Sequence, residues 1–221
     1  MRVFIVGASR GIGLEFVRQY REAGAEVWAT ARDDAGLARI VALGAQAHRL
    51  DVTHASAAVA PDWLADAADF DVAVFNAGVY GPRTTALVAP SHADFDDVMR
   101  TNVLGAMQVL PWLVQRLAPG GALAVISSKM GSLGLRTSPA GGLYRASKAA
   151  LNSVLKDASL AMAGRAICVA LHPGWVRTDM GGAGADLDAS DSVAQLRRTL
   201  AGLKPADNGS YLDHDGAPLA W

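Results

Sequence analysis

Short apolar segments rich in β-branched residues alternate along the chain with segments of helical periodicity. The apolar segments are hydrophobic at successive positions, so we expect strands that are buried on both faces. Strands are predicted over residues 3–6, 26–30, 47–50, 72–75, 123–127 and 167–171, with a last one at 210–213. Helices are predicted over residues 12–23, 34–43, 55–67, 93–117 and 144–163. This alternation predicts an α/β fold, a parallel sheet with helices on both faces.

Two parts of this pattern carry local signals. Ser91 precedes Asp94 by three residues and is expected to cap the helix over residues 93–117. Pro111 is expected to kink that helix or to reset its end. Residues 178–189 contain three glycines and show no periodicity. Two interpretations of this segment are possible, a mobile lid and a poorly ordered loop.

Length and charge narrow the class of protein. With 221 residues, 51% of them hydrophobic, the chain can bury a large core, and we expect a single domain over residues 1–221. The net charge of -1 gives no electrostatic case for binding nucleic acid or an anionic membrane.

The chain shows no feature of export or membrane insertion. Cys168 is the only cysteine, which excludes an intramolecular disulfide and a CxxC metal site. No apolar run reaches membrane-spanning length, and the N-terminal one is too short for a signal peptide. We therefore expect a soluble cytoplasmic protein.

A glycine-rich turn, Gly7-Ala8-Ser9-Arg10-Gly11-Ile12-Gly13, joins the first predicted strand to the first helix. Glycines there allow a tight turn, and the N–H groups at the start of the helix can bind a pyrophosphate. The spacing is GxxxGxG rather than GxGxxG. Its position after a buried strand favours dinucleotide binding over an ordinary structural turn.

The residues after the second strand indicate which dinucleotide binds. An NAD site usually has an acidic residue at the strand end, where this chain has Ala31 followed by Arg32. Arg10 and Arg32 suit a 2′-phosphate by charge and bidentate geometry, so NADP(H) is favoured. NAD(H) stays possible, because Asp33 could contact the ribose instead of capping the next helix.

Tyr144 and Lys148 lie four residues apart in a predicted helix and therefore share one face. A nearby ammonium favours ionised phenol, so such a tyrosine can exchange a proton near neutral pH. Ser127 and Ser128 lie upstream, after a predicted strand. Asn102 lies in mid-helix, where asparagine is a poor helix former, so its side chain either has another role or faces solvent.

Seven motifs occur in a fixed order: Gly7-Ala8-Ser9-Arg10-Gly11-Ile12-Gly13, Asp51-Val52, Asn76-Ala77-Gly78, Asn102, Ile126-Ser127-Ser128, Tyr144-Arg145-Ala146-Ser147-Lys148 and Pro173-Gly174-Trp175-Val176-Arg177-Thr178. In this order they resemble the short-chain dehydrogenase/reductase family over nearly the whole chain. Residues 172–182 and 215–221 are most similar to its C-factor-like, carbonyl-reductase-like branch, which is mostly NADPH-linked. The resemblance implies a single doubly wound Rossmann domain with a central parallel sheet of about seven strands.

The resemblance also implies roles for four catalytic residues. Tyr144 would be the acid/base, and Lys148 would hold the nicotinamide ribose hydroxyls and lower the pKa of the tyrosine. Ser128 would hydrogen-bond the substrate carbonyl, and Asn102 would hold a water in the proton relay.

A larger set of residues is expected to bind the cofactor, with Asp51 at the adenine and Thr178 at the nicotinamide amide. The full set is Gly7, Ser9, Arg10, Gly11, Ile12, Gly13, Arg32, Asp51, Val52, Asn76, Ala77, Gly78, Tyr144, Lys148, Pro173, Gly174, Val176 and Thr178. We expect no metal, and interpret Asp213-His214-Asp215 as a turn.

Three departures from the family pattern stand out. Val6 replaces a frequent threonine before the first glycine, and Phe75 replaces a frequent asparagine. Ser128 and Tyr144 are sixteen residues apart, where thirteen is more usual, which indicates an insertion in residues 129–142. Ser132 is therefore a rival for the serine role.

These features predict an NADP(H)-dependent oxidoreductase that interconverts a carbonyl and an alcohol by hydride transfer. The main alternative is a dinucleotide-binding regulatory or signalling protein with little turnover; a lyase or epimerase is less favoured. Substrate contacts are expected from residues 79–90, 129–142 and 175–189, whose apolar character favours an apolar aldehyde or ketone. The family resemblance implies a homo-oligomer, with a dimer favoured, pairing through the helices that begin near Ala93 and Tyr144.

Overall fold

The structure is a computed structural model that describes residues 1–65 and 67–221. The described chain has seven strands: β1 (Arg2–Val6), β2 (Glu26–Ala31), β3 (Gln46–Arg49), β4 (Phe70–Phe75), β5 (Leu117–Ile126), β6 (Ile167–Leu171) and β7 (Tyr211–Leu212). All are parallel, in the order β3-β2-β1-β4-β5-β6-β7. The prediction of an α/β fold with about seven parallel strands is confirmed.

The six α-helices of the described chain cover both faces of this sheet. They are α1 (Gly11–Glu22), α2 (Asp34–Ala42), α3 (His92–Met99), α4 (Gly105–Leu113), α5 (Gly142–Ala161) and α6 (Ala189–Gly202). Side chains of α1, α2 and α6 form one apolar layer with the sheet, and side chains of α4 and α5 form the other. The helices therefore bury the apolar side chains on both sides of the strands.

β1 shows why the strands are apolar at successive positions. Val3 and Ile5 point into the layer with α1 and α6, whereas Phe4 and Val6 point into the layer with α4 and α5. Successive side chains of a strand point to opposite faces, so a strand between two helix layers must be apolar at every position.

The prediction of a helix over residues 55–67 is wrong. The described part of this segment has two short 3₁₀ turns, Ala55–Ala58 and Asp62–Leu64, and Asp66 lies outside the described residues. Pro61 explains the break, because it has no N–H to donate and it disfavours helical backbone at the residue before it.

The long helix predicted over residues 93–117 is divided. α3 is followed by a π-helical turn, Arg100–Leu104, and then by α4, which contains Pro111 and ends two residues after it. The Ser91 cap is confirmed, since its Oγ accepts a hydrogen bond from the Asp94 N–H at 3.0 Å.

α6 was not predicted from the sequence. This helix buries Val193, Leu196 and Leu200 against the sheet, which is the three-and-four spacing of an amphipathic helix. The glycine-rich segment immediately before it concealed that spacing. Among the described residues, no helix is both long and apolar enough to cross a membrane. A cytoplasmic location stays a prediction.

The order of the strands determines where a ligand can bind. β1 lies between β2 and β4, so the chain winds outward from this point in both directions. In open parallel sheets, the crevice for a ligand forms at such a switch point, beyond the carboxyl ends of the strands. The glycine turn after β1 and Asn76 after β4 both lie there.

Asp33 caps α2. Its Oδ1 accepts a hydrogen bond from the Gly36 N–H at 2.6 Å, whereas Asp34 forms an exposed ion pair with Arg49. A cap satisfies a helix N–H group that otherwise has no partner in the helix, whereas an exposed ion pair contributes little.

We expect Asp33→Ala to lower the free energy of unfolding by about 1 kcal/mol, because it removes this cap. Asp34→Ala is the matched control, for which a change of less than about 0.5 kcal/mol is expected. Urea unfolding followed by circular dichroism measures both. Equal losses in the two variants would contradict the capping role of Asp33.

Candidate active site

A cleft of about 420 Å³ lies at the carboxyl ends of the central strands. It is lined by fifteen of the residues predicted to bind a cofactor. These are Gly7, Ser9, Arg10, Gly11, Ile12, Arg32, Asp51, Val52, Asn76, Ala77, Gly78, Tyr144, Lys148, Pro173 and Thr178. The fold thus brings residues from most of the chain into one cavity.

The glycine turn folds tightly against its neighbours. Gly7 has a φ of +83°, and a Cβ at Gly13 would lie 2.2 Å from the Gly7 carbonyl oxygen. Asn76 donates to that oxygen at 2.7 Å, and the Gly7 N–H donates to Thr30 Oγ1 at 3.2 Å. Thr30 thus supplies a hydroxyl to the turn although position 6 is valine.

The start of α1 suits a pyrophosphate. Arg10, the N-cap residue of α1, makes no side-chain cap, and the first turn of the helix contains no acidic side chain. The N–H groups of this turn face the cleft with the positive end of the helix dipole, which attracts an anion. A dinucleotide therefore fits the donors present at this turn.

Three residues predicted to bind the cofactor do not line the cleft. Gly13 lies behind the turn, where its lack of a side chain permits the contact between the turn and Asn76. Gly174 packs against Leu187 and His214, and Val176 is buried beside Leu187. Their roles are in packing the walls of the cleft.

Basic side chains gather at the end of the cleft near β2. Arg10, Arg32 and Arg39 all line it. Arg10 forms an ion pair with Asp179 across the cleft at 3.1 Å, with side chains 70% and 75% exposed. Such exposure limits the contribution of this ion pair to stability to about 1 kcal/mol or less. Asp33 also lines this end, but one oxygen of its carboxylate is used to cap α2.

Lys148 is a buried cation. It is 4% exposed, and its Nζ donates to the Ile126 carbonyl oxygen at 2.9 Å. Burial lowers the pKa of Lys148 from 10.5 to about 8. A Cβ at Gly78 would lie 3.3 Å from this Nζ, so a glycine there leaves room for the ammonium.

Tyr144 lies beside Lys148, whose Nζ is 5.7 Å from the centre of the phenol ring. Burial raises the pKa of Tyr144 to about 12, a hydrogen bond with Ser128 lowers it in part, and the nearby Tyr80 raises it. The lowering of this pKa by Lys148 that the resemblance implied stays a prediction. The phenol is therefore held in its protonated form at neutral pH.

The serine beside Tyr144 is Ser128, which interacts with the phenol and is 8% exposed. The rival Ser132 is fully buried and donates to the Ala220 carbonyl oxygen at 2.6 Å. Its Oγ also accepts from the Leu135 N–H at 3.0 Å. The geometry thus favours Ser128, and the inserted loop uses Ser132 to hold the last residues of the chain.

Asn102 faces inward from the π-helical turn and is fully buried. Its Nδ2 donates to the Val79 carbonyl oxygen at 2.8 Å and to Ser147 Oγ at 2.9 Å. Its Oδ1 accepts from the Val79 N–H at 2.8 Å. Both side-chain N–H groups are used, so this side chain could hold a water only as an acceptor.

The three loops expected to contact a substrate are joined to one another. Tyr80 stacks on Tyr144 with ring centres 4.4 Å apart, and the Arg83 guanidinium lies 4.7 Å from the Tyr80 ring. Arg83 also donates to the Met180 carbonyl oxygen. The Gly141 N–H donates to the carbonyl oxygen of Thr84 at 2.9 Å. Residues 79–90 therefore contact both other loops beside the phenol.

Comparison with known proteins agrees with this geometry. The family model described as short chain dehydrogenase matches residues 1–186. The C-signal protein of Myxococcus xanthus is 38% identical over 154 residues, which are 68% of this chain and 92% of that protein. The chain belongs to the short-chain dehydrogenase/reductase family. It is an NAD(P)-dependent enzyme.

Solved structures of this family match the whole chain. A carbonyl reductase from Pseudomonas aeruginosa PAO1 in complex with NADP is 33% identical, with a TM-score of 0.87 over 100% of this chain and 99% of that chain. The carbonyl reductase Sniffer of D. melanogaster is 27% identical, with a TM-score of 0.89 over the same shares. The resemblance to a carbonyl-reductase-like branch is confirmed.

Several functional contacts were missed from the sequence. Tyr211 donates to the Ser128 carbonyl oxygen and so holds the backbone at this serine, and Ser127 Oγ donates to Asn152 Oδ1 of α5 at 2.5 Å. Arg39 and Asp179 at the cleft were also missed. No local pattern could reveal these residues, because their partners lie far away in the chain.

The residues 213–215 form the predicted turn. The Gly216 N–H donates to the Asp213 carbonyl oxygen at 3.0 Å, and Gly216 has a φ of +89°. Side-chain ligand atoms of Asp213, His214 and Asp215 lie within 4.8 Å of one another.

We expect Lys148→Met to raise the free energy of unfolding at pH 7 by roughly 1–3 kcal/mol while abolishing activity, because it removes a buried charge. The pKa of Lys148 is about 8 when folded and 10.5 ordinarily, so the unfolded state binds more protons between these values. Wild-type stability therefore rises with pH in this window, and the advantage of the variant shrinks there.

Urea unfolding at several pH values between 7 and 10.5 measures this difference. Lys156→Met is the matched control, because Lys156 is an exposed lysine of the same helix. A variant at position 148 that is less stable than wild type at every pH would contradict the cost assigned to the buried ammonium.

Proposed function

We propose that this enzyme interconverts a carbonyl and an alcohol with NADP(H), using Tyr144 as the acid/base. The observation that supports this most is that Tyr144 and Lys148 line the cleft that also contains the glycine turn, with Ser128 at the Tyr144 phenol. The solved carbonyl reductase from P. aeruginosa that this chain is similar to contains NADP.

The charge at the β2 end of the cleft supports NADP(H) over NAD(H). Arg10, Arg32 and Arg39 line it. A ribose 2′-phosphate carries up to two negative charges and accepts bidentate hydrogen bonds from guanidinium groups. Asp33, the residue that could contact an unmodified ribose, is engaged as a helix cap. NAD(H) remains the alternative cofactor.

The bound cofactor would supply or accept a hydride at its nicotinamide ring. Tyr144 then donates a proton to the oxygen of the reduced carbonyl, and its raised pKa keeps that proton on the phenol at neutral pH. Ser128 donates a hydrogen bond to the same oxygen. The Lys148 ammonium stabilises negative charge on the phenol oxygen after transfer. Asn102 fixes the loop at Val79 beside them.

The surroundings of Tyr144 support an apolar aldehyde or ketone as substrate. Tyr80 provides an aromatic wall next to the phenol, and Met130 lies against the Tyr80 hydroxyl. Leu133, Trp175 and Met180 present exposed apolar side chains on the neighbouring loops. An apolar substituent beside the carbonyl would bury surface against these groups.

A dinucleotide-binding protein with little turnover is the second candidate. A relative named C-signal covers 68% of this chain, and its name supports a signalling role as the second candidate function. The two candidates share cofactor binding and differ in turnover, so an assay of the chemical step separates them.

We also propose that the enzyme forms a homodimer through the surface of the helices α3, α4 and α5. Phe95, Met107 and Leu160 of these helices are 47% to 66% exposed, although they are large and apolar, and Leu104 of the π-helical turn between α3 and α4 is 38% exposed. Light scattering after size exclusion is expected to give twice the mass of one chain. The mass of a single chain at micromolar concentration would contradict the dimer.

The test of the proposed function is Tyr144→Phe, which keeps the ring and removes the proton. We expect NADPH binding within about twofold of wild type and a loss of about 10³-fold or more in the rate of carbonyl reduction, because general acid catalysis contributes on this scale. NADPH fluorescence measures binding, and a panel of apolar aldehydes and ketones measures turnover.

Two controls sharpen this test. Ser132→Ala is the matched serine control for Ser128→Ala, and only the second is expected to slow reduction.

Alcohol oxidation by wild type needs the phenolate, so its rate is expected to rise with pH above neutrality, because the pKa of Tyr144 is raised. Full reductase activity in Tyr144→Phe would overturn the proposal, and NADPH binding without turnover in wild type would favour the regulator.

A further inference from the structure

We infer that Arg39 is a third cation of the subsite for the 2′-phosphate and sets the preference for NADP(H) together with Arg32. This inference rests on the proposed function. It assigns a role to an arginine on α2 that the sequence motifs leave out.

The Arg39 side chain folds back from α2 onto the phosphate-binding turn. Its Nε donates to the Ser9 carbonyl oxygen at 2.7 Å, and it lines the cleft next to Arg10 and Arg32. Gly36, three residues earlier on the same face of α2, makes this possible. A Cβ there would lie 2.7 Å from the Cβ atoms of Ser9 and Ala31, so the helix packs directly on the turn.

The guanidinium of Arg39 keeps most of its donors. An arginine has five N–H groups, and Arg39 uses the one on Nε for Ser9. The contact with Ser9 fixes the direction of the side chain. In the part of the chain that the structure describes, the four N–H groups on the two Nη atoms make no hydrogen bond, so they are left for a ligand in the cleft. A fixed fork of donors is the geometry that binds a phosphate in two places at once.

The three arginines differ in how their charge is compensated. Among the described residues Arg10 is paired with Asp179, whereas Arg32 has no carboxylate within 4.0 Å. Within residues 1–65 and 67–221, Arg39 has no carboxylate within 4.0 Å. Arg39 therefore resembles Arg32 and differs from Arg10, whose charge is compensated by an ion pair. The nearby carboxylate of Asp33 is directed to the Gly36 N–H.

An unpaired, pre-positioned guanidinium beside the ribose end of a dinucleotide site matches one ligand chemistry, a phosphate ester on the ribose. The same guanidinium adds much less binding energy for a ribose that carries only hydroxyls, because hydroxyls are uncharged. Arg39 is thus expected to act on the choice between the two cofactors and not on binding of the dinucleotide in general.

The experiment compares wild type, Arg39→Ala and Arg39→Gln for binding NADPH, NADH, 2′,5′-ADP and 5′-AMP. NADPH and NADH are titrated by fluorescence and the nicotinamide-free nucleotides by calorimetry, so no turnover is needed. We expect both variants to bind NADPH and 2′,5′-ADP about tenfold more weakly, and NADH and 5′-AMP within about twofold of wild type. Arg198→Ala removes an exposed arginine of α6 and is the matched control for net charge.

The glutamine variant separates charge from support of the turn, since its amide can still donate to Ser9. Equal weakening of all four nucleotides in Arg39→Ala, with recovery in Arg39→Gln, would show that Arg39 only supports the turn and would overturn the inference. Unchanged NADPH binding in both variants would overturn it while leaving the proposed function intact. A wild type that binds NADH as well as NADPH would overturn the proposed cofactor and the role of Arg39 together.

Discussion

The buried ammonium of Lys148 is the constraint on which the site depends. A cation removed from water is costly unless hydrogen bonds and nearby groups compensate it, and here the Ile126 carbonyl oxygen accepts one hydrogen bond. Gly78 and Gly131 have no side chains, which lets other segments approach this lysine closely. The resulting position, 5.7 Å from the centre of the Tyr144 ring, is where a positive charge can act on the phenol.

The parallel sheet explains how groups from distant parts of the chain reach this lysine. The carboxyl ends of β1, β4, β5 and β6 lie along one edge, and the glycine turn, Asn76, Ser128 and Pro173 follow these strands directly. α5 crosses the same edge with Tyr144 and Lys148 one helical turn apart. The arginines gather at the β2 end of the cleft, and the aromatic loops lie beside Tyr144. The residues proposed for cofactor choice and those proposed for substrate contact are therefore separate.

The sheet, the glycine turn and the pairing of Tyr144 with Lys148 could be predicted from the sequence, because each depends on a pattern within a few residues. The prediction of a helix over residues 55–67 is wrong because Pro61 interrupts the segment, which has only two short 3₁₀ turns in its described part. Arg39 could not be found, since its role depends on a side chain folding back to Ser9 across thirty residues. The raised pKa of Tyr144 also could not be predicted from the sequence, because it results from burial of the side chain.

The most direct test of the central claim follows the hydride itself. The enzyme is incubated with an apolar aldehyde and NADPH that carries deuterium at both C4 positions, and the product is examined by mass spectrometry. The account predicts an alcohol with one deuterium on the carbinol carbon for each NADPH consumed. Bound NADPH with no label transferred to any carbonyl of a broad panel would contradict it.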